Sequence, residues 1–418
     1  MKSAGFVFGT DLLDEGYDAV LDNLQERGGL DGIALSATYH DARDVFPHNP
    51  KVHVYRNQGD VAWFVPERGR YRSGLTPRIA TAAGDVDVLA ELCRRAGRRG
   101  LAVTAWTIFL HNSALATAFP DCATRNVYGD PYLSDLCPAN PRVRDYCREL
   151  AADLARYPVQ RLMAESLHYR PLEHGEHHER YLLRLPAAAR TMLSLCFCPH
   201  CRVAGAQAGV AVADLVTAVR TALEPIWQGH LAPGAAAPLL AEPAQTELFK
   251  YVGARIATVT SLVAEVREAL ATGGAQLSFI DHAGTMSHVM HGTGADDEVT
   301  ESSRKLGIDP VAVAAVCDEL CVLGYVDTAQ RVAALLASYR DLLGPDARIS
   351  LALRPLHPDC ELEENLRAKV AAARAAHVAS IDFYHYAMMP LNRLDWITRA
   401  MADGAAADSA PPWIAGEE

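Results

Sequence analysis

Residues 86 to 109 read VDVLAELCRRAGRRGLAVTAWTIF. Apolar side chains recur at helical spacing through the first part, which closes on Gly100, as a helix C-terminus often does. Ala102 to Phe109 then form a short apolar run rich in β-formers. A helix that hands over to a continuously apolar strand is the unit of a parallel sheet covered on both faces.

The same unit recurs along the chain. Runs at Gly5–Gly9 (GFVFG), Gly32–Ser36 (GIALS), Arg161–Glu165 (RLMAE), Gln276–Asp281 (QLSFID), Leu320–Tyr325 (LCVLGY), Ile349–Leu353 (ISLAL) and Ala379–Tyr384 (ASIDFY) bring the strands to eight. Helical patterns such as YDAVLDNLQERG, NPRVRDYCRELAADLARY, TAQRVAALLASYRDLLG and LEENLRAKVAAARAAH lie between them. Eight strand–helix units predict an α/β fold, a (β/α)8 TIM barrel, as one domain over residues 1–402 with a tail at 403–418. An open doubly wound sheet competes, but the stretch from Gly5 to Asp11 lacks the GxGxxG dinucleotide fingerprint, and no organic cofactor is expected.

Half of the 418 residues are hydrophobic and 22% are charged, enough apolar surface for a large core and too much for disorder. The net charge of −12 has no basic stripe to offset it, which argues against nucleic acid or an anionic membrane as partner. Asp11, Asp14 and Glu15 interrupt the start of the chain before a secretory apolar segment forms, and no later run reaches the roughly 18 apolar residues that span a bilayer. The expectation is a cytoplasmic protein whose ten cysteines are reduced.

Three long loops break the repeat: 110–141, a helical insertion at 166–275, and 282–309. Loops longer than about 15 residues in a compact domain usually serve function, and in a barrel they crown the catalytic face. The insertion is long enough to cover a site or to join copies into a homo-oligomer. Strand ends on that face are Asp11, His40, His111 and Asn112, Glu165 and His168, Asp281 and His282, Tyr325 and Asp327, Arg354 and His357, and Asp382 with Tyr384 and His385. This ring of carboxylates, imidazoles and aromatics suits a small polyhydroxylated substrate.

Glu165 is the sharpest candidate, a carboxyl ending an apolar strand, where desolvation would raise its pKa and suit it to protonate a leaving oxygen. Asp281 and Asp382 are the candidates for a second carboxylate, as nucleophile or base. His111, His168, Arg354, Tyr384 and His385 are expected to hold hydroxyl groups, with Asp11, His40, Asn112 and His282 beside them. Trp106 is either a sugar platform or core, since period-two alternation does not reveal which side of its strand faces the barrel axis. Asp318 and Glu319 precede their strand and belong to the opposite, stability face.

In LCFCPHC, residues 195–201, the Cys198-x-x-Cys201 spacing is common in zinc sites and Cys196 adds a third thiolate. The candidates for a fourth ligand are His200, Cys122 and Cys137; a reduced, metal-free cysteine cluster is the competing reading. A second histidine-rich stretch, His174-Gly-Glu176-His177-His178-Glu179, reads as a substrate-lining loop through His177. Adjacent His177 and His178 point opposite ways on a regular element, and no HExxH pattern occurs.

The segment TAFPDCATRNVYGDPYLSDLCPANPRVRDYCRELAADLARY, followed by LMAESLHY, LCFCPHC and the closing IDFYHYAMMPLNRLDWI, resembles a group of uncharacterised glycoside-hydrolase-like barrel proteins. The resemblance implies a (β/α)8 fold, action on a carbohydrate or glycoside, and Glu165 as the strand-four carboxylate. The cysteine cluster is similar to structural zinc clusters of some barrel β-galactosidases. Two positions depart from the largest retaining clan: its Asn-Glu pair is here Ala164-Glu165, and its strand-seven Glu is replaced where the strand runs into Arg354-Pro355. The leading expectation is a glycoside hydrolase with carboxylate catalysis. The alternatives are a metal-dependent sugar isomerase or lyase using the barrel-top histidines, and a carbohydrate-binding barrel without catalysis.

Overall fold

The computed structural model describes residues 1–172, 180–230, 240–282 and 299–408. Eight parallel strands form a closed barrel: β1 (Lys2–Val7), β2 (Gly32–Tyr39), β3 (Ala102–Ile108), β4 (Arg161–Glu165), β5 (Gln276–Asp281), β6 (Glu319–Leu323), β7 (Ile349–Leu353) and β8 (Ser380–Phe383). Closure is direct, because β1 pairs with β2 on one side and with β8 on the other. The fold expected from the repeat is the fold observed.

Strand alternation divides the apolar residues into two layers. Phe6, Ala34, Trp106, Met163, Ile280 and Ala352 fill the lumen, while Val7, Ile33, Leu162, Phe279, Leu351 and Phe383 face the helices. Each fully buried large side chain contributes roughly 1.5–3 kcal/mol, so the double-sided burial of every strand is the main stabilising term. The alternation also answers the question left open for Trp106, which faces the lumen.

Helix starts follow the sequence signals. Asp87 accepts from Ala90 N–H to open Val88–Arg98, and Thr328 accepts from Arg331 N–H to open Ala329–Leu343. Asn140 caps Pro141–Leu154 with Pro at the first turn, which explains the CPANP motif physically. After β4 come Ala187–Ser194, Pro199–Gln207, Val212–Trp227 and the long Ala244–Leu270. The last packs beside Pro141–Leu154 and serves as the regular barrel helix between β4 and β5.

The departures have local causes. The first strand was expected at Gly5–Gly9 but ends at Val7, because Gly9 starts a short helix, Gly9–Asp14, against Trp63; a Cβ on Gly9 would fall 2.1 Å from that indole. β2 runs on past Ser36 to Tyr39 across an irregular register between Ser36 and Thr38. The loop 110–141 contains a hairpin, Ala123–Arg125 with Pro131–Leu136.

Below the apolar layers, near the amino ends of the strands, the lumen holds charge. Arg161 lies 2.9 Å from Glu319 and 2.6 Å from Asp382, and Arg348 lies 3.1 Å from the other Glu319 oxygen. No single helix among the described residues is long and apolar enough to cross a membrane.

Candidate active site

At the carboxyl ends of the strands the lumen opens into a cavity of about 220 Å³. Phe6, Trp106, Ile280 and Leu323 give it apolar surface, and Tyr39, Tyr325 and Tyr384 add rings with polar tips. Glu165, Ser166, His40, His111, His168, His282, Arg170 and Arg354 supply the remaining polar lining.

Glu165 is placed by strand parity. Leu162 and Ala164 point to the helices, so Met163 and Glu165 point to the lumen. Ser166 then takes a left-handed conformation, φ 53°, and turns the chain so that residues 168, 170 and 171 also line the cavity. Trp106 Nε1–H donates to Glu165 Oε2 at 2.5 Å, and His282 Nε2 lies 3.5 Å from Oε1. Burial by itself raises the carboxyl, but the His282 contact and the Trp106 donor outweigh it and hold Glu165 below its ordinary value. Glu165 therefore rests as a carboxylate, which corrects the expectation of a raised, protonated acid.

Behind His282 runs a line of hydrogen bonds. His168 Nδ1 is 2.6 Å from the carbonyl of Tyr169, which only accepts, so that nitrogen carries the hydrogen. His168 Nε2 is 3.0 Å from His282 Nδ1. The contacts Tyr169 carbonyl to His168, His168 to His282 and His282 to Glu165 connect the carboxylate to the backbone without a break.

Elsewhere on the wall two arginines are each paired with an aspartate. Arg354 gives Nε and Nη2 to Asp359 at 2.5 and 3.0 Å and lies 4.3 Å over the Tyr325 ring, which fixes the guanidinium plane. Tyr384 and Tyr39 join through their hydroxyls at 3.1 Å. Arg170 Nε lies 2.7 Å from the buried Asp135. His40 stacks on Tyr39 and His111 and donates Nδ1–H to the Asp41 carbonyl at 2.9 Å. Burial depresses its pKa, leaving a neutral ring whose Nε2 accepts.

Of the residues expected at the site, Glu165, His40, Trp106, His111, His168, His282, Arg354 and Tyr384 meet in this cavity. Asp281 does not: Ile280 takes the lumen position, so Asp281 faces the helix layer and accepts from Tyr339 Oη at 2.8 Å and Ser303 Oγ at 3.1 Å. Asp382 points into the lumen one layer too low and pairs with Arg161. Neither carboxylate forms a pair with Glu165 across the cavity. Asp11 accepts from Phe8 N–H within the Gly9–Asp14 helix start, and burial pushes its carboxyl up. Asn112 caps Ser113–Ala118. His385 is fully buried against Phe8, with ring centroids 3.8 Å apart. None of these three lines the cavity, and His177 lies outside the described residues. Among the polar lining residues, those not expected were Tyr39, beyond the irregularity in β2, and Ser166 and Arg170, past the end of β4.

The cysteine question resolves in favour of Cys137. Its Sγ lies 3.5 Å from those of Cys198 and Cys201 and 3.9 Å from that of Cys196, and all four sulfurs fall within 4.8 Å of one another, fully buried. A tetrahedron with metal–sulfur bonds of about 2.3 Å has edges of roughly 3.8 Å, so the donor set fits a closed zinc site. Arg125 N–H donates to Cys196 Sγ at 3.3 Å, and Tyr169 Oη lies 3.3 Å from Cys201 Sγ, contacts that favour thiolates. Without a metal the four thiols share protons unequally: hydrogen bonds from its neighbours pull the Cys198 thiol down, while burial pushes Cys137 up and Cys201 is raised as well. None of the ten cysteines is disulfide-bonded. Among the described residues this is the one convergent group of three or more metal-ligand side chains; the barrel-top histidines form none.

No protein-family model and no curated protein matches the chain. Solved structures do. The chain is similar to the PgaB (BpsB) glycoside hydrolase domain from Bordetella bronchiseptica, at TM-score 0.54 and 14% identity over 96% of this chain and 97% of that one. It is also similar to a β-galactosidase from the psychrophilic Marinomonas ef1, at TM-score 0.58 and 11% identity over 98% of this chain and 60% of that one. A third is α-L-fucosidase isoenzyme 2 from Paenibacillus thiaminolyticus, at TM-score 0.52 and 12% identity over 98% of this chain and 50% of that one. What is shared at these identities is the architecture, the TIM barrel of glycoside hydrolases, and the expected resemblance holds at that level.

Proposed function

We propose that the protein is a carbohydrate-active enzyme that hydrolyses a glycoside, with Glu165 as its catalytic carboxylate. The observation that carries the reading is a carboxyl group at the end of β4, held by an indole N–H and an imidazole inside a small aromatic cavity. A volume of about 220 Å³ is below the roughly 300–1,000 Å³ of ordinary ligand pockets and suits one sugar ring. Trp106 offers the apolar face for that ring, and His40, His111, His168, Arg354 and Tyr384 the hydroxyl contacts.

The hydrogen-bonded line supplies the proton. Transfer from His282 Nε2 to Glu165 Oε1, 3.5 Å away, makes the acid that a leaving glycosidic oxygen needs. The carboxylate left behind takes a proton from a water that enters on the face the leaving group has vacated and bonds to the anomeric carbon, and the proton returns to the line. We assign a structural zinc to Cys137, Cys196, Cys198 and Cys201, where it would cross-link the chain and take no part in this chemistry. Reduced thiols suit a cytosolic setting.

The test is turnover on a panel of glycosides by the wild type and by Glu165→Gln. The expected loss is about 10²–10⁴-fold at an unchanged melting temperature. Near-wild-type turnover by the variant would remove Glu165 from catalysis. One observation favours a second reading, a binding protein without hydrolysis: Glu165 is the only carboxylate among the described residues that line the cavity. That reading requires saturable sugar binding with no turnover. A turnover lost to chelators and restored by a divalent ion would instead favour the isomerase or lyase.

A further inference from the structure

We infer that the four-cysteine site clamps one wall of the cavity, with Tyr169 as the positioning residue that joins the two. The inference rests on the assignment of a metal to the cysteines and not on the identity of the substrate.

Tyr169 belongs to the segment that turns out of β4, between two cavity residues, His168 and Arg170. Its side chain points away from the cavity: the ring lies 4.4 Å from the Arg255 guanidinium carbon and the hydroxyl 3.3 Å from Cys201 Sγ. Its backbone points the other way. The carbonyl accepts from His168 Nδ1 at 2.6 Å and so selects the hydrogen position from which the line to His282 and Glu165 follows. The amide donates to Leu306 O at 3.1 Å. One residue thus bonds to a metal-site sulfur at one end and sets the tautomer of a cavity histidine at the other.

A second attachment runs in parallel. Asp135 stands two residues before Cys137 at the end of the Pro131–Leu136 strand, where it holds Arg170 at 2.7 Å and bridges to His111. The cysteines therefore gather chain from two separate loops, the one after β3 and the insertion after β4, and each brings cavity residues with it. Binding a metal joins residue 137 to residues 196–201, closing a loop of about 60 residues, and the thiols release their protons as it binds. Among the described residues, Cys201 Sγ is the hydrogen-bond partner of the Tyr169 hydroxyl, so whatever holds that sulfur holds the ring.

The experiment is hydrogen–deuterium exchange of residues 166–170, with ¹⁵N resonances of the His168 ring recorded on the same samples. Three proteins are compared, with metal content measured for each: wild type as purified, wild type after chelation, and Tyr169→Phe with its metal retained. Loss of one hydrogen bond accelerates exchange in 166–170 by about threefold to tenfold in Tyr169→Phe, and chelation accelerates it by more. Both changes move the His168 resonances away from the pure Nδ1–H pattern, while residues 349–353 of β7 exchange as before. Unchanged protection and unchanged His168 resonances in Tyr169→Phe would overturn the clamp, including the case where chelation unfolds the protein. A protein purified without metal, yet with 166–170 fully protected, would overturn the role of the metal in it.

Discussion

The barrel lumen carries two buried charged clusters, one at each end. At the amino ends Arg161 and Arg348 neutralise Glu319 and Asp382 through direct ion pairs of 2.6–3.1 Å. At the carboxyl ends Glu165 faces an indole N–H and an imidazole beside a cavity. All three carboxylates are largely hidden from solvent, so burial does not separate a structural acid from a catalytic one. The partner does. A guanidinium keeps its charge at every relevant pH and fixes its carboxylate, whereas imidazoles gain and lose protons in the working range and make theirs responsive.

The largest effect expected from this contrast is on stability. Arg161→Met leaves Asp382 buried without its cation and should cost about 3–5 kcal/mol in urea denaturation. Glu165→Gln, by the same assay, should cost no more than about 1 kcal/mol, since the amide keeps an acceptor for the Trp106 N–H. Equal losses in the two variants would erase the distinction between the ends of the barrel.

A smaller effect is expected with pH. His385 is buried and His40 half-buried, and both have depressed pKa values, by desolvation first in each case, so below an unfolded value of about 6.5 the unfolded chain binds protons that the folded one refuses. Stability should fall as pH drops from that point toward the folded values. Glu165, depressed in the fold, adds stability that is complete above an unfolded value of about 4.3 and disappears as pH falls through its folded value. Asp11 and Asp60, raised by burial, and His48, raised by its Glu15 contact, act in the opposite sense, so the test is a difference: His385→Phe should lose less melting temperature than wild type between pH 7 and 5. Equal losses in the two proteins would contradict a neutral buried His385.

The smallest effect belongs to Asp281. Facing Tyr339 and Ser303 rather than the cavity, it should tolerate Asn with sugar affinity and turnover within about twofold of wild type. A large loss of turnover at unchanged stability would return it to the site.

These residues also mark how far the sequence could be read. Arg161–Glu165, Gln276–Asp281 and Ile349–Leu353 were legible to the residue because each is a short apolar run with a clear cap or turn at either end. Gly9 misled because its meaning is a close approach by Trp63, a contact more than fifty residues away. The strand ends named the right neighbourhood, yet alternation gives a period without a sign. Ile280 and Asp281 were indistinguishable until the lumen side was fixed, as was the depth of Asp382 relative to Tyr384. Tyr39 was hidden by the irregularity in β2, although Ala37-Thr38-Tyr39 continues a plausible strand pattern. Cys137 could not be chosen over Cys122 because the two arrive from the same loop and only the fold decides which one reaches the insertion.

The most direct measurement of the central claim is a crystal structure of Glu165→Gln soaked with a glycoside that the wild type turns over or binds. The account predicts one sugar ring against Trp106, with the glycosidic oxygen within hydrogen-bonding distance of residue 165 and hydroxyls on the histidines and Arg354. A sugar seated away from Trp106, with no atom near residue 165, would contradict it.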